Sequence, residues 1–432
     1  MEKKRKDINA LSASELADYI HAINILRERS TQNPDDETGY DFQAALHNDA
    51  SIGPCEHGSD LFLPWHRAHL HYFEQLLQQA DPPRTANVTI PYWDWLHVEA
   101  NSAKFPAAFT QPGLFSAGRN LEPADLPADT LEIVTQEREW KEFGGYPKND
   151  PAGNYGRLEL GPHNYMHPQF IGGKMASPAR AAEDPIYWSF HCFIDLLWTE
   201  WQRRNQAAPT SPAADLRGFL SQPRHQVADF HDPSALGYAY EYSAQLQQAF
   251  SLASPVVEPQ ALLAATPMQP LFASAVETEL RDKARLAFAL PSSPPAPITA
   301  RVRLRDLKIP VTGSYQLRAY VHPQATPFAP DDSGFQQLYY VGYVYLWQAH
   351  AAQQSPHGHG GDHHLPQPHH PAACTARFNV TYVLSRVPPE ARDSMTLTLQ
   401  YLPAPGADGM PVSVPELVKE VQLKDVLMEV YQ

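Results

Sequence analysis

The sequence predicts a mainly α-helical core with long loops, followed by a smaller antiparallel β domain at the C-terminus. Apolar residues recur at helical spacing up to about residue 250, and alternating runs rich in β-branched and aromatic residues follow residue 299. A proline-rich stretch, 291-PSSPPAP-297, separates the two compositions. We therefore predict a helical domain over 1–253, a linker over 254–298 and a β domain over 299–432.

The helices are predicted from their apolar faces. In 14-SELADYIHAINILRER-29 apolar residues recur every three or four positions, and Ser12 or Ser14 is placed to cap the helix. Between residues 80 and 160 the chain is rich in Pro, Gly, Asn and Asp, which is typical of long ordered loops. Further helices are predicted to begin near Tyr40, Leu63, His163 and Asp184.

The C-terminal domain contains three strand-like runs and one histidine-rich tract. The tract, 357-HGHGGDHHLPQPHH-370, holds six histidines in fourteen residues, and its Gly and Pro content predicts a flexible loop. Such a loop either delivers a metal ion or is a solvated insertion that binds metal only adventitiously. The strand-like runs are 338-LYYVGYVYLW-347, 376-ARFNVTYVL-384 and 395-MTLTLQYL-402.

Composition excludes several classes of partner. A net charge of -15 argues against a general nucleic-acid binder, and no apolar run approaches the roughly 20 residues of a membrane helix. The start, 1-MEKKRKDINALSASELADYI-20, has basic residues without an apolar stretch, so we expect no secretory signal and favour the cytoplasm. Three cysteines, Cys55, Cys192 and Cys374, are too few for a disulfide framework and suit a reducing compartment.

Six histidines of the helical domain fall into two sets of three. His163 and His167 are four residues apart, which brings both rings onto one face of a helix. His191 lies in the apolar helix 184-DPIYWSFHCFIDLLWTEWQ-202, where a buried histidine needs a partner. The other set, upstream, is His47, His57 and His66. Because imidazole is a common metal ligand, the two sets predict two metal ions, each with three nitrogen ligands and an open position.

The ligand type narrows the choice of metal. Imidazole suits zinc, copper, iron and nickel alike. Hydrolytic zinc pairs more often recruit bridging carboxylates, and no carboxylate or cysteine joins these histidines in an obvious ligand spacing. A pair held only by nitrogen leaves room between the metals for a small ligand. That favours copper and dioxygen over zinc and water.

The motifs around these histidines resemble those of the type 3 copper proteins, the group of tyrosinases, catechol oxidases and hemocyanins. The resemblance covers most of residues 5 to 245. The matching stretches are FLPWHR at 62–67, HNYMH at 163–167, Gly172, Gly173 and Met175, and the DPIYW…H…ID..W pattern from Asp184 to Trp198. The resemblance implies that His47, His57 and His66 hold one copper ion and that His163, His167 and His191 hold the other.

The resemblance also implies the function. Its relatives use dioxygen to hydroxylate small monophenols at the ortho position and to oxidise o-diphenols to o-quinones. We expect a phenol oxidase of this type; a catechol oxidase without monophenolase activity and a hemocyanin-like oxygen carrier stay open, with a di-zinc hydrolase a distant third. A single unit of 432 residues without an internal repeat weighs against the carrier.

Four residues receive roles from the resemblance. Cys55, two residues before His57, is similar to the cysteine that forms a thioether with histidine in fungal tyrosinases and molluscan hemocyanins; the alternative is a buried free thiol. Glu159 and Asn164 fall where monophenol-hydroxylating relatives hold a water that acts as the base. The alternative is that Glu159 forms a surface ion pair and Asn164 caps a helix.

The remaining expectations concern the surroundings of the site. Pro178, in a segment of small residues, and Phe190, where relatives often have a second histidine, are predicted to line an uncovered substrate entrance. Asp195 is expected to orient structure by pairing with Arg67. His69 and His71 are expected to be helix surface or packing, since His69 stands where relatives commonly have tyrosine.

In several relatives a C-terminal β domain covers the site. An aromatic residue from 338–347 is the expected cover here. The alternative is a permanent stabilising domain without a regulatory part.

Overall fold

The helices follow the predicted apolar faces. The computed structural model describes residues 2–47, 55–97, 104–122, 124, 126–127, 129–148, 150, 154–205, 207–252, 272–275, 283–288, 299–308, 314–346, 373–391, 393–404 and 425–431. The helices of the N-terminal part are α1 (Ala13–Gln32), α2 (Tyr40–Ala45), α3 (Phe62–Ala80), α4 (Pro82–Thr85), α5 (Thr130–Gln136), α6 (Trp140–Gly144), α7 (Ile186–Arg204) and α8 (Ala244–Leu252). Two π-helical turns, Glu159–His163 and Met166–Ile171, lie between α6 and α7.

Helix α1 begins at a capping motif that can be recognised in the sequence. The Ser12 hydroxyl accepts the Glu15 amide N–H, and the Glu15 carboxylate accepts the Ser12 N–H, which completes a capping box. Ser12, and not Ser14, is therefore the cap. Ile23 and Leu26, from the predicted apolar face, are fully buried.

Helices α3 and α7 form the centre of the helical part. The first thirteen residues of each helix are all buried, which is typical of a core helix surrounded by protein. Phe73 of α3 and Trp188 of α7 stack face to face at a centroid distance of 3.5 Å. These two helices carry His66 and His191, so their packing sets the distance between the two histidine sets.

A buried carboxylate ties these helices to the N-terminus. Asp195 forms ion pairs with Arg67 of α3 and with Arg5, all three being buried. This confirms the expected Asp195–Arg67 pair. Arg5 lies close to Asp195 because β1 (Lys3–Arg5) pairs in parallel with β2 (Tyr238–Tyr240). Burial alone raises the pKa of Asp195, but Arg67 and Arg5 outweigh it and the pKa lies below its usual value.

The C-terminal part contains two antiparallel four-stranded sheets, in the orders β3-β10-β5-β8 and β4-β9-β6-β7. The strands are β3 (Phe272–Ala275), β4 (Lys283–Phe288), β5 (Thr299–Lys308), β6 (Ser314–Pro323), β7 (Tyr340–Leu346), β8 (Ala373–Asn379), β9 (Met395–Ala404) and β10 (Asp425–Tyr431). Two short helices, α9 (Ser333–Tyr339) and α10 (Thr381–Arg386), accompany them. The predicted fold class, a helical part followed by an antiparallel β part, is confirmed.

Two local predictions in this part were wrong. The segment 254–298, predicted as a linker, contains β3 and β4, so the sheets begin upstream of residue 299; the prolines after 290 drew the boundary too far downstream. The run 376–384 was predicted as one strand, but β8 ends at Asn379 and α10 begins at Thr381. The Asn379 side chain accepts the Thr381 N–H, which turns the chain at that point. The histidine-rich tract 357–370 lies outside the described residues.

The helical and β parts share packing. Tyr343 and Tyr345 of β7 belong to the hydrophobic core of the helical part, while Tyr155 and Leu160 belong to the core of the sheets. Two ion pairs cross the same boundary, Arg301–Glu137 at 3.6 Å and Arg377–Glu142 at 3.3 Å. Across the ranges given above, none of the helices has the length and apolarity needed to cross a membrane.

We predict that Asp195→Asn destabilises the protein by about 3–5 kcal/mol, because it leaves the buried Arg67 without its carboxylate and leaves Arg5 with Glu74 as its remaining carboxylate. Unfolding in urea measures the change. The stability that Asp195 contributes is present above its unfolded pKa and is lost as pH falls through its lowered folded pKa, so the difference between the two proteins should shrink in acid. The control is Asp18→Asn, which breaks the exposed pair with Arg84 and should cost less than about 1 kcal/mol. Equal losses in the two variants would contradict the assignment.

Candidate metal centre

The structure brings all six predicted histidines to one buried place. They come from five parts of the chain: the end of the α2 segment, the loop before α3, helix α3, the π-helical turns and helix α7. None of the six side chains is more than 3% exposed. The residues are His47, His57, His66, His163, His167 and His191.

The first trio, His47, His57 and His66, forms a nearly equilateral triangle of rings. The centroids of these rings are 5.4 Å (47 to 57), 5.5 Å (47 to 66) and 5.2 Å (57 to 66) apart. Ligand nitrogens of His47 and His66 lie within 4.8 Å of each other and of His191, and His47 and His57 lie within that distance of the Cys55 sulfur. The second trio therefore adjoins the first.

The second trio, His163, His167 and His191, is tighter. One nitrogen from each ring lies within 4.8 Å of the other two, and the centroid of His163 is 4.5 Å from that of His167. The rings of His66 and His191 stack at 4.3 Å, so the two trios meet along α3 and α7.

The π-helical turns explain how His163 and His167 reach one face. Pro162 lies inside the first turn and Pro168 inside the second, and a proline has no N–H to donate to the helix. Wider turns result, and such π segments occur often at functional sites. The predicted spacing of four residues still places both rings together.

Backbone carbonyls set the tautomer of three of the rings. The Nδ1 atoms of His47, His66 and His167 donate to the carbonyl oxygens of Pro178 (2.7 Å), Phe62 (2.8 Å) and Met175 (3.0 Å). In His163 the Nδ1 atom donates to the side-chain oxygen of Asn164 at 2.9 Å. A carbonyl only accepts, so Nδ1 carries the proton and Nε2 keeps the lone pair that a metal needs.

Burial favours the neutral form of three of these rings. Desolvation lowers the pKa values of His66, His167 and His191 well below the usual value, and repulsion from neighbouring histidines lowers them further. Metal binding requires neutral imidazole, so the protein presents its ligands ready to bind. No carboxylate belongs to any of the three ligand groups found among the described residues. This donor set fits a pair of copper ions.

Glu159 and Asn164 lie beside the trios. The Glu159 carboxylate is buried, and its Oε1 atom accepts the N–H of Gly58, the residue after His57, at 2.8 Å. Burial raises the pKa of Glu159 well above its usual value, and Glu56 raises it further. The alternative of a surface ion pair for Glu159 is therefore wrong.

Asn164 lies inside a continuous helical segment, so it does not cap a helix start. Its side-chain oxygen accepts from His163, and its Nδ2 atom donates to the carbonyl oxygen of Tyr345 at 3.3 Å. Strand β7 of the C-terminal part therefore reaches the residue next to a predicted ligand.

The predicted substrate entrance differs from the structure. Pro178 is buried, and its carbonyl orients His47. Phe190 is also buried, with its ring 5.0 Å from that of His167 and stacked at 5.0 Å on Trp95. Neither side chain faces solvent, because both fill space behind the histidines.

Cys55 is buried beside His57. Its sulfur lies 3.1 Å from the His57 Nδ1 atom, and burial raises the pKa of the thiol well above its usual value.

Two residues near the trios had no predicted role. The Tyr187 ring lies 4.8 Å from His47 and 4.3 Å from His191, and its hydroxyl is 3.2 Å from His69 Nδ1. His69 is buried and packed, and burial lowers its pKa to about 3. The sequence did contain a signal for Tyr187, since this tyrosine lies in the stretch DPIYW, four residues before His191.

The sequence is similar to those of known tyrosinases. A family model described as the common central domain of tyrosinase matches residues 37–127 and 119–204. A tyrosinase from Hahella sp. is 29% identical over 299 residues, which cover 55% of this chain and 63% of that protein. A tyrosinase from Streptomyces glaucescens is 27% identical over 250 residues, covering 49% of this chain and 86% of that protein.

Similar solved structures span nearly the whole chain. A latent aurone synthase (polyphenol oxidase) aligns with a TM-score of 0.69 at 17% identity, covering 99% of this chain and 89% of that one. Latent apple tyrosinase gives the same score and identity over 100% and 97% of the two chains. A functional unit from octopus hemocyanin aligns at 0.57 and 16% identity over 99% of both. At these identities the likeness shows the fold.

Proposed function

The chain belongs to the tyrosinase and polyphenol oxidase family of type 3 copper proteins, and from that premise we propose that it uses dioxygen to ortho-hydroxylate small monophenols and to oxidise o-diphenols to o-quinones. It is an oxidase whose cofactor is a pair of copper ions. The observation that carries the proposal is the cluster of six buried imidazoles in two adjoining trios.

In this proposal each trio holds one copper ion through its ring nitrogens. The first is held by His47, His57 and His66, and the second by His163, His167 and His191. When bound, the pair supplies the electron transfer to dioxygen. The protein contributes the orientation of the rings, through the carbonyls of Pro178, Phe62 and Met175, and a buried environment that excludes water.

Proton transfer distinguishes the two proposed activities. A phenol has a pKa near 10, like tyrosine, and must lose its proton to bind a metal. We assign Glu159 and Asn164 to hold the water that takes this proton. Their positions support the assignment, since Glu159 contacts the residue after His57 and Asn164 contacts His163 itself.

Two other functions use the same trios. A catechol oxidase would lack the proton-accepting group for monophenols, and an oxygen carrier would bind dioxygen without releasing quinone. The likeness to octopus hemocyanin is a likeness of fold. The three functions are distinguished by the products that the protein releases from phenols and catechols, and not by the fold.

The experiment that tests the function measures metal content and product together. The copper-loaded protein should contain two copper ions per chain and produce o-quinone from catechol under oxygen. His66→Gln removes one ligand of the first trio and should lower copper to about one ion per chain and abolish quinone formation. The control is His71→Gln on the same helix, where the ring contacts Gln75. Copper binding without quinone would indicate a carrier, and zinc in place of copper would refute the proposal.

We predict that Glu159→Gln and Asn164→Ala lower hydroxylation of a simple phenol by roughly 100-fold, and oxidation of the matching catechol far less, because a catechol loses its first proton more easily. Initial rates on the two substrates measure the difference. The control is Glu200→Gln, which changes a buried glutamate paired with Arg204 and should affect both rates alike. Equal losses on both substrates, or no hydroxylation by the wild type, would leave a catechol oxidase.

We also propose a thioether between Cys55 and the His57 ring. The distance of 3.1 Å between the sulfur and Nδ1, together with the burial of both side chains, supports this bond. It would replace one S–H and one ring C–H bond by a C–S bond, and the two hydrogens and two electrons would pass to dioxygen, the oxidant of the proposed reaction, to give hydrogen peroxide. The link would fix the His57 ring against the first copper ion.

We predict that the intact mass of the copper-loaded protein is two hydrogens lighter than its sequence, because the thioether removes one hydrogen from each side chain. Cys55→Ser should show the full calculated mass. An unchanged wild-type mass with a Cys55 thiol that can be titrated after unfolding would contradict the bond.

We propose further that the C-terminal part covers the second trio. The Tyr345 carbonyl accepts from Asn164, and the rings of Tyr343 and Tyr345 contact Tyr165 at 5.4 and 5.9 Å. Two neighbours in fold are described as latent enzymes. The alternative is a permanent stabilising domain, and the shared cores are compatible with both.

We predict that one cut in the segment 253–271, at an inserted protease site, raises the rate of catechol oxidation, because it removes a covalent restraint on the cover. Rates before and after cleavage measure the effect, with the same protease acting on the unmodified chain as control. If a clean cut leaves the rate unchanged, the C-terminal part is a stabilising domain.

A further inference from the structure

Tyr187 lies between the two histidine trios without being a predicted ligand. Its ring is buried, with its centroid 4.8 Å from that of His47 and 4.3 Å from that of His191. One of these histidines belongs to each trio. The tyrosine ring therefore fills the space that separates the trios on this side.

The hydroxyl of Tyr187 has one fixed partner. His69 Nε2 lies 2.8 Å from the carbonyl oxygen of Gln43, which can only accept, so Nε2 carries the proton. In the neutral ring Nδ1 is then the acceptor, and the Tyr187 hydroxyl, 3.2 Å away, donates to it. The donor and acceptor roles along Gln43, His69 and Tyr187 follow from the backbone carbonyl at one end.

This hydrogen bond joins the two central helices. His69 lies on α3, three residues after His66, and Tyr187 lies on α7, one turn before His191. The His69 ring cannot shift easily, because Trp65 and Trp188 flank it at centroid distances of 4.9 and 4.7 Å. The tyrosine is thus anchored through a ring that is itself packed in place.

We propose that the Tyr187–His69 hydrogen bond is a positioning device: it holds the Tyr187 ring against His47 and His191 and so fixes the separation of the two copper ions. This inference rests on the proposed function, since it needs a copper ion in each trio. Tyr187 and His69 are positioning residues, because they act through the histidines and not on the substrate.

The chemistry of a metal pair depends on this separation. A misplacement of about 1 Å in a catalytic group can cost on the order of 100-fold in rate. Without its hydroxyl, the ring at 187 loses its anchor and leaves the buried Nδ1 of His69 without a donor. We expect kcat to fall and KM to change little, because Tyr187 is 1% exposed and does not present a surface to substrate.

Three single variants test the bond on the copper-loaded protein. Tyr187→Phe removes the donor. His69→Gln retains a donor near the position of Nε2 and loses the acceptor, whereas His69→Asn retains an acceptor near the position of Nδ1. We expect Tyr187→Phe and His69→Gln to keep two copper ions per chain, to change the copper–copper distance measured by X-ray absorption and to lower kcat for catechol about ten-fold. His69→Asn should stay near the wild type.

The double variant Tyr187→Phe/His69→Gln should be no worse than either single variant, because both remove the same bond. The matched control is Tyr92→Phe, another buried tyrosine. Its hydroxyl donates to the Glu241 carbonyl and accepts from the Ser243 N–H, so the variant loses comparable bonds away from the trios. It should lower the melting temperature without changing the copper–copper distance.

Two results would overturn the inference. In the first, Tyr187→Phe and His69→Gln lose thermal stability as Tyr92→Phe does but keep the wild-type copper–copper distance and kcat. In the second, His69→Asn and His69→Gln behave alike. A wild-type protein without a copper pair would overturn the proposed function and this inference with it, and the wild-type copper content identifies that outcome separately.

Discussion

The buried charge of Asp195 is the constraint on which the rest of the helical part depends. Its carboxylate holds Arg67 of α3 and Arg5 of β1 in the interior, where an unpaired charge would be costly. Arg67 directly follows His66, and Asp195 lies one helical turn after His191. The ion pair therefore holds the two helices in register at the level where each contributes a histidine.

A second constraint acts on the imidazoles themselves. Each ring has two nitrogens, and a metal needs the lone pair of one of them. Three rings, those of His47, His66 and His167, donate hydrogen bonds from Nδ1 to the carbonyls of Pro178, Phe62 and Met175. Their Nε2 lone pairs are therefore left for a metal ion. The first residue of α3 and the segment 175–178 matter to the site for this reason, because they supply these backbone acceptors.

Much of the helical part could be predicted from the sequence because its signals are local. The Ser12 cap and the four-residue spacing of His163 and His167 are each contained within one turn of chain. Glu159 could not be placed in the same way, since its partner Gly58 lies 101 residues away. The same holds for Tyr187, whose hydroxyl meets His69 across 118 residues. The sequence shows these residues but not their partners.

The β part shows a different limit. Alternation predicted strands near β7, β8 and β9, yet it gave no sign that Tyr343 and Tyr345 would join the core of the helical part, or that Tyr155 and Leu160 would join the core of the sheets. This exchange means that displacing β7 exposes apolar surface on both sides of the boundary.

Asn164 connects that boundary to the metal centre. One side of its amide accepts from His163 and the other donates to the Tyr345 carbonyl. Any movement of β7 therefore removes a restraint on the amide that orients a predicted copper ligand. Strand β7 and the second trio are thus linked through one side chain, and a displacement of β7 would break a hydrogen bond of the amide that orients His163.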